Sequence, residues 1–204
     1  MSNKSGVILF SGTGSNLENL LKNKSNLDGK LIYKAAFTNN PSAKGLVICQ
    51  KYSLDAVKSE SNSLNSDLSN FLEKYDPDLI ILSGYMKILP VDITKKYEGK
   101  IINIHPSLLP KYPGLDTHEK AISNNDEFHG ATVHYVNEKM DDGPIILQGL
   151  FKLHNENDID KIKNLVHKVE HIIFPIVVKW IAHDIVKLKG DAVYINGNRI
   201  NSSI

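Results

Sequence analysis

Between residues 101 and 148 the chain carries an amide, an imidazole and a carboxylate, each at or near a turn. Asn103 and His105 lie in IINIHPSLLPKYPGLDTH, and Asp141 lies in HGATVHYVNEKMDDGPIILQ. Residues two apart in an extended backbone share a face, so Asn103 and His105 project together. An imidazole exchanges a proton near neutrality, its ordinary pKa being about 6.5. An amide NH₂ can donate to a developing oxyanion, and a carboxylate beside the ring favours the imidazolium. That set suffices for attack on a carbonyl-like carbon without a metal or a covalent adduct. Pro106 and Pro110 forbid a helix after the histidine and stiffen the turn. Spacing alone leaves a catalytic pair and core packing both open for Asn103 and His105. Asp-Gly turns use aspartate for backbone reasons, so turn chemistry accounts for one of Asp141 and Asp142.

A second candidate is SGTGSNL, which follows the first apolar run and opens a helix. Its residues Gly12, Thr13, Gly14, Ser15 and Asn16, with Ser11, suit a phosphate, because the first amides of a helix lack intrahelical acceptors. The alternative is a glycine-eased turn with Ser15 or Asn16 as the cap. The loop is not a dinucleotide fingerprint. Leu17 stands where a third glycine belongs, and the second strand ends in Thr38-Asn39-Asn40, without an acid for a ribose diol. Nor does a Gly-Lys-Ser/Thr follow, as a nucleotide P-loop requires. A small phosphorylated substrate fits better. In SGYMKILP, Met86, Lys87, Ile88 and Leu89 read either as an apolar wall for a flat heterocycle or as core entering a helix.

The elements that must hold these residues alternate. Strands are expected at 7–10, 31–38, 55–57, 79–82 and 100–104, and helices at 16–22, 43–51, 67–74 and 92–97. The Asn/Ser-rich stretch 59–69 reads as a loop entering a helix. Such alternation argues an α/β fold with a mostly parallel, doubly wound sheet. After a helix at 119–123, strands at 131–136 and 144–153 flank the Asp141 loop and read as an antiparallel addition. A long helix at 159–182 carries one apolar stripe, with a kink expected at Pro175. The tail AVYINGNRI reads as a hairpin turning at Asn-Gly.

Bulk composition excludes several classes. A length of 204 residues fits a single domain over 1–204, and a formal charge of +1 gives no footprint for nucleic acid. Arg199 is the one arginine, so bidentate clamps on phosphate are excluded. Cys49 is the one cysteine, which removes internal disulfides and Cys-based zinc sites; its helical setting reads as a buried structural thiol. The spacings of His118, His129 and His134 match no compact zinc pattern, so no metal is expected. His154, His167, His171 and His183 read as surface or helix-face residues. The first residues form no signal peptide, and no window approaches the ~20 apolar residues of a membrane helix. A cytoplasmic enzyme is the expectation.

Taken in order, SGTGSNL, SGYMKIL, NIHPSLLPKYPGLDTH, HGATVHYV, MDDGPIILQ and VEHIIFP run the length of the chain. Together they resemble the phosphoribosylglycinamide formyltransferase family, folate-dependent enzymes of de novo purine synthesis. The resemblance implies a Rossmann-like formyltransferase fold and catalysis by Asn103, His105 and Asp141. It implies a ribonucleotide phosphate on Gly14, Ser15 and Asn16, with Gly12 and Thr13 in the same loop, and ribose hydroxyls on Glu170. It implies a folate wall of Met86, Lys87, Ile88 and Leu89, with Asn103 and Asp141 also facing the folate. The implied substrates are 5-phosphoribosylglycinamide and 10-formyltetrahydrofolate, and the implied state is monomer or homodimer. Lys87 stands where the family often has arginine, Asp116 where many members have histidine, and Asp142 where glycine is common. Residues 58–66 lack an arginine that some members turn toward the folate tail. A formyltetrahydrofolate hydrolase would use the same trio, but usually adds an N-terminal regulatory domain. A methionyl-tRNA formyltransferase would need an RNA-binding domain and more positive charge.

Overall fold

A computed structural model describes residues 3–59, 62–154 and 156–200. Up to residue 105 strands and helices alternate: β1 (Lys4–Phe10), α1 (Ser15–Lys22), β2 (Leu31–Thr38), α2 (Gly45–Lys51), β3 (Ala56–Lys58), α3 (Leu64–Tyr75), β4 (Leu79–Leu82), α4 (Val91–Lys96) and β5 (Ile101–His105). Then follow α5 (Thr117–Ser123), β6 (Phe128–Tyr135), β7 (Ile145–Lys152), α6 (Ile159–Ala182), β8 (Val186–Lys189), β9 (Ala192–Ile195) and β10 (Asn198–Arg199). Seven strands form one sheet in the order β3-β2-β1-β4-β5-β6-β7, and the last three form a separate small sheet. The chain divides into two compact units, Met1–Asn103 and Ile104–Ile204, with the boundary inside β5.

In the first unit, β1 pairs in parallel with β2 and β4, β2 with β3, and β4 with β5. Val7, Ile8, Leu9 and Phe10 of β1 are fully buried, as are Ile80 and Ile81 of β4. Unbroken apolar runs mark parallel strands covered on both faces. Each such large side chain contributes about 1.5–3 kcal/mol by leaving water. The helices cover the strands with narrow stripes, Leu17, Leu20 and Leu21 on α1 and Leu68, Phe71 and Leu72 on α3. The chain steps outward from β1 through β2 to β3, then crosses back to place β4 on the other side of β1. That reversal makes the carboxyl ends of β1 and β4 a topological switch point, where open α/β sheets bind ligands.

In the second unit β6 and β7 are antiparallel, as the sequence implies, and the connecting loop carries Asp141. The 24-residue α6 runs through Pro175 and starts at Asp158, whose side chain accepts from the amides of Asp160 and Lys161. The Asn196-Gly197 turn joins β9 and β10 with positive φ at both residues, the requirement of a two-residue hairpin.

Several bounds differ from expectation. β1 begins three residues early, because Lys4, Ser5 and Gly6 pair with β2 without being an apolar run. α3 starts at Leu64 rather than 67. Its first turn is poor in helix formers, but the Ser63 and Ser59 hydroxyls donate to the Asp67 carboxylate at 2.6 and 2.7 Å. β8 was not expected and pairs with β9. Residues 60 and 61, within the 59–69 stretch, lie outside the described residues.

Candidate active site

In the first unit the two candidate binding segments meet at the switch point. β1 ends at Phe10, and the Ser11 amide donates to the Gly84 carbonyl at 3.1 Å, extending the β1–β4 pairing by one rung. The Met86 amide donates to Ser11 Oγ at 2.8 Å, and Ser11 Oγ donates to Asn39 Oδ1 at 2.5 Å. Beyond Ser11 the chain turns into α1 with Gly14 at the cap, in the left-handed conformation (φ 79°). A Cβ on Gly14 would sit 2.8 Å from Gly45 Cα and 2.9 Å from Ile48 Cδ1, so only glycine fits. Gly14 offers no side-chain cap to the first amides of α1, which suits them to an anion. The cap is thus Gly14, not Ser15 or Asn16. The one proton of the Ser11 hydroxyl goes to Asn39. Past Met86, that side chain and Ile88 are 73% and 78% exposed, whereas Leu89 is buried. Two neighbouring solvated apolar side chains at a switch point fit a wall for a flat ligand. Asn103 ends this unit, half-buried on β5 opposite Leu82.

In the second unit His105, 5% exposed, terminates β5. Its Nε2 lies 2.8 Å from the Tyr112 carbonyl, so that nitrogen carries a proton, since a carbonyl only accepts. Its Nδ1 faces Asp141 Oδ2 at 3.4 Å. Asp141 sits at φ 52° in the β6–β7 loop, and the Gly114 amide donates to the same Oδ2 at 2.9 Å. The carboxylate is therefore turned onto the histidine and not into solvent. Its other oxygen lies 3.7 Å from His134 Nε2. His134 is buried, and its Nδ1 donates to the Tyr135 carbonyl at 2.8 Å. Burial holds this imidazole below the ordinary histidine range.

The turn after His105 is stitched to the antiparallel pair. Thr132 Oγ1 donates to the Ser107 carbonyl at 2.6 Å and accepts from the Leu109 amide and from Gln148 Nε2. One hydroxyl thereby uses its donor and both lone pairs. Gln148 also donates to the Leu109 carbonyl, and the Leu109–Pro110 bond is cis. Tyr112 is anchored by its hydroxyl to Asp126, which also takes Lys111. The carbonyl facing His105 is fixed in this way. His118 and His129 bond to each other at 2.9 Å, and no group of three His, Cys, Asp or Glu among the described residues could hold a metal. Glu170 is buried on α6, in the stripe of Ile162, Val166, Ile173 and Val177.

Composition and spacing gave no signal for His134, Thr132 or Gln148. Their alternation on β6 and β7 was the trace available, since it turns Thr132 and His134 to one face. Glu170 had a sharper one, an acid at a buried position of an apolar helical stripe.

Residues 4–178 match the family described as formyl transferase. The chain belongs to that family. It is 36% identical to the phosphoribosylglycinamide formyltransferase of Haemophilus influenzae, over 97% of this chain and 96% of that protein. The crystal structure of phosphoribosylglycinamide formyltransferase from Anaplasma phagocytophilum superposes with a TM-score of 0.89 at 35% identity, covering 96% of each chain. A formyltetrahydrofolate deformylase from Pseudomonas syringae shares the fold, with a TM-score of 0.87 over 95% of this chain and 66% of that one, at 22% identity. The Rossmann-like architecture of the family is the one built here by β1 to β7. Among the described residues no helix is long and apolar enough to cross a membrane.

Proposed function

We propose that this formyl transferase moves the formyl group of 10-formyltetrahydrofolate to the amine of 5-phosphoribosylglycinamide, a step of de novo purine synthesis. The observation that carries the reading is the contact of buried His105 Nδ1 with the Asp141 carboxylate at a strand end, in a chain that matches phosphoribosylglycinamide formyltransferases over nearly its whole length. The substrate amine attacks the formyl carbon and forms a tetrahedral intermediate. Asn103 and the His105 imidazolium stabilise its oxyanion, each donor lowering the barrier by about 3–4 kcal/mol. The 3.4 Å separation of His105 Nδ1 from Asp141 exceeds the ~2.7–2.9 Å of a tight charge-assisted bond, so the Nδ1–H is not committed to the carboxylate and can be shared with an incoming oxygen. Asp141, with water, carries the proton of the attacking amine to the departing folate nitrogen. The C–N bond to folate then breaks, giving formylglycinamide ribonucleotide and tetrahydrofolate. The α1 terminus at Gly12–Asn16 holds the phosphate, Glu170 the ribose hydroxyls, and Met86, Lys87, Ile88 and Leu89 flank the folate, with Asn103 and Asp141 at its reacting end. No metal takes part. The 204 residues work as one domain, in the cytoplasm, on small molecules, as monomer or homodimer.

The test is tetrahydrofolate release from 10-formyltetrahydrofolate with and without 5-phosphoribosylglycinamide. Release that depends on the amine supports transfer. Equal release without it would make water the acceptor and the protein a hydrolase.

A further inference from the structure

We propose that Ser11 is a positioning residue that couples the two substrates, setting the folate wall and the phosphate loop through one hydroxyl. The inference rests on the function proposed above. Ser11 is 7% exposed, and its polar atoms divide between two segments. Its amide goes to the Gly84 carbonyl and its Oγ accepts the Met86 amide, both on the segment leading into the wall. Its Oγ–H goes to Asn39 Oδ1, and its carbonyl accepts Asn40 Nδ2 at 3.0 Å, both on the turn after β2. The next carbonyl, that of Gly12, accepts the Gly45 amide at 3.1 Å, and Gly45 is the residue against which Gly14 packs. A shift of the phosphate loop is therefore passed to Met86 through one oxygen. With that single proton given to Asn39, the Met86 amide has only this oxygen's lone pair to hold it. A Cβ built at Gly12 or at Gly84 meets nothing within 4 Å, so the backbone on both sides of the rung is open to ligands.

The sharpest test is the linkage between ligands, measured by calorimetric titration of tetrahydrofolate with and without saturating 5-phosphoribosylglycinamide. In the parent protein each ligand should tighten the other roughly five- to tenfold, reciprocally. Ser11→Ala should bring that factor to about one and raise the KM for 10-formyltetrahydrofolate roughly five- to tenfold, the effect of one lost hydrogen bond. The KM should rise more than kcat falls. Ser11→Thr, which keeps the hydroxyl, should restore the linkage. Asn39→Ala, at a half-buried and more tolerant position, should weaken it in the same direction and covers the case in which Ser11→Ala does not fold. An unchanged linkage factor in these variants would overturn the proposal. So would parallel losses of kcat and thermal stability with an unchanged KM, the pattern of a merely structural serine. Absence of amine-dependent transfer in the parent protein would instead sink the function on which the coupling rests.

Discussion

Asp141→Asn removes the charge at the site with the least change of shape. The asparagine has nearly the same shape and keeps an oxygen that can accept from the Gly114 amide, now at 2.9 Å. What it loses is the negative charge 3.4 Å from His105 Nδ1 and, with it, the carboxylate that carries the amine proton. At that distance, with an effective dielectric of ~20, the attraction to an imidazolium is about 5 kcal/mol. The carboxylate is 13% exposed, so water screens part of this, and the asparagine oxygen recovers a neutral hydrogen bond. From the charge alone a net loss of roughly 3 kcal/mol from the transition state remains, so kcat should fall at least about a hundredfold once the lost proton carrier is added. Initial rates followed by the absorbance of the deformylated folate, with KM for each substrate, measure it. The loss should fall on kcat more than on KM, because the imidazolium is needed most as the oxyanion forms. The thermal midpoint should move by no more than a few degrees, since the Gly114 amide keeps its partner. A folded Asp141→Asn protein with kcat within about threefold of the parent would refute the reasoning.

Burial pushes the His129 imidazole down to about 4. The unfolded chain takes its proton first, near 6.5. This contribution to stability is therefore complete above about 6.5 and is lost as pH falls toward 4, up to about 3 kcal/mol. Urea melts of His129→Gln should show a flatter pH dependence across that window, and an unchanged slope would count against it. Gly14→Ala should raise the KM for 5-phosphoribosylglycinamide at least tenfold and lower stability by about 1–2 kcal/mol, since an L-residue at φ 79° is strained before its Cβ meets Gly45. Equal KM values would remove the loop from the phosphate site. Cys49 is 1% exposed and burial pushes its thiol up to about 11. It should resist an aromatic disulfide reagent at pH 7.5 until urea unfolds the chain, and rapid labelling of the native protein would contradict that burial.

How far the letters predict the fold depends on what each element spends on burial. β4 and α6 fall at their expected bounds because their apolar residues are continuous or periodic to the last position. The first turn of α3 escapes because local bonding rather than a pattern defines it, and β8 because its alternation is too short to stand out. Ser63 and Ser59 hold Asp67 in one, and Val186 and Leu188 alternate with lysines on a strand of four residues in the other. The site divides along the same line. His105 is legible because it closes an apolar strand at its carboxyl end, where open α/β sheets place ligands. Asp141, by contrast, stands out only through the family motif, since an Asp-Gly turn explains aspartate without chemistry. The Tyr112 carbonyl and the Gly114 amide are not legible, because a backbone group has no letter of its own.

Yet those backbone groups decide what the side chains can do. A histidine free to rotate could present either nitrogen to a ligand or to Asp141. The Tyr112 carbonyl takes Nε2 and leaves Nδ1 to the carboxylate. The Gly114 amide likewise settles which oxygen of Asp141 meets the ring. Each backbone group is in turn held in place. The Ser107 hydroxyl donates to the Lys111 carbonyl at 2.6 Å with the Tyr112 carbonyl a longer second acceptor at 3.3 Å, and Thr132 and Gln148 pin Ser107 and Leu109 to the β6–β7 pair. The Asp141 loop leaves that same pair, so histidine and acid are registered against one rigid hairpin and not against each other. Loosening that link would cost orientation together with stability, since the Leu109 amide and the Ser107 carbonyl would each lose a partner. Thr132→Val, which removes the hydroxyl at constant volume, would therefore lower kcat through a site it does not touch.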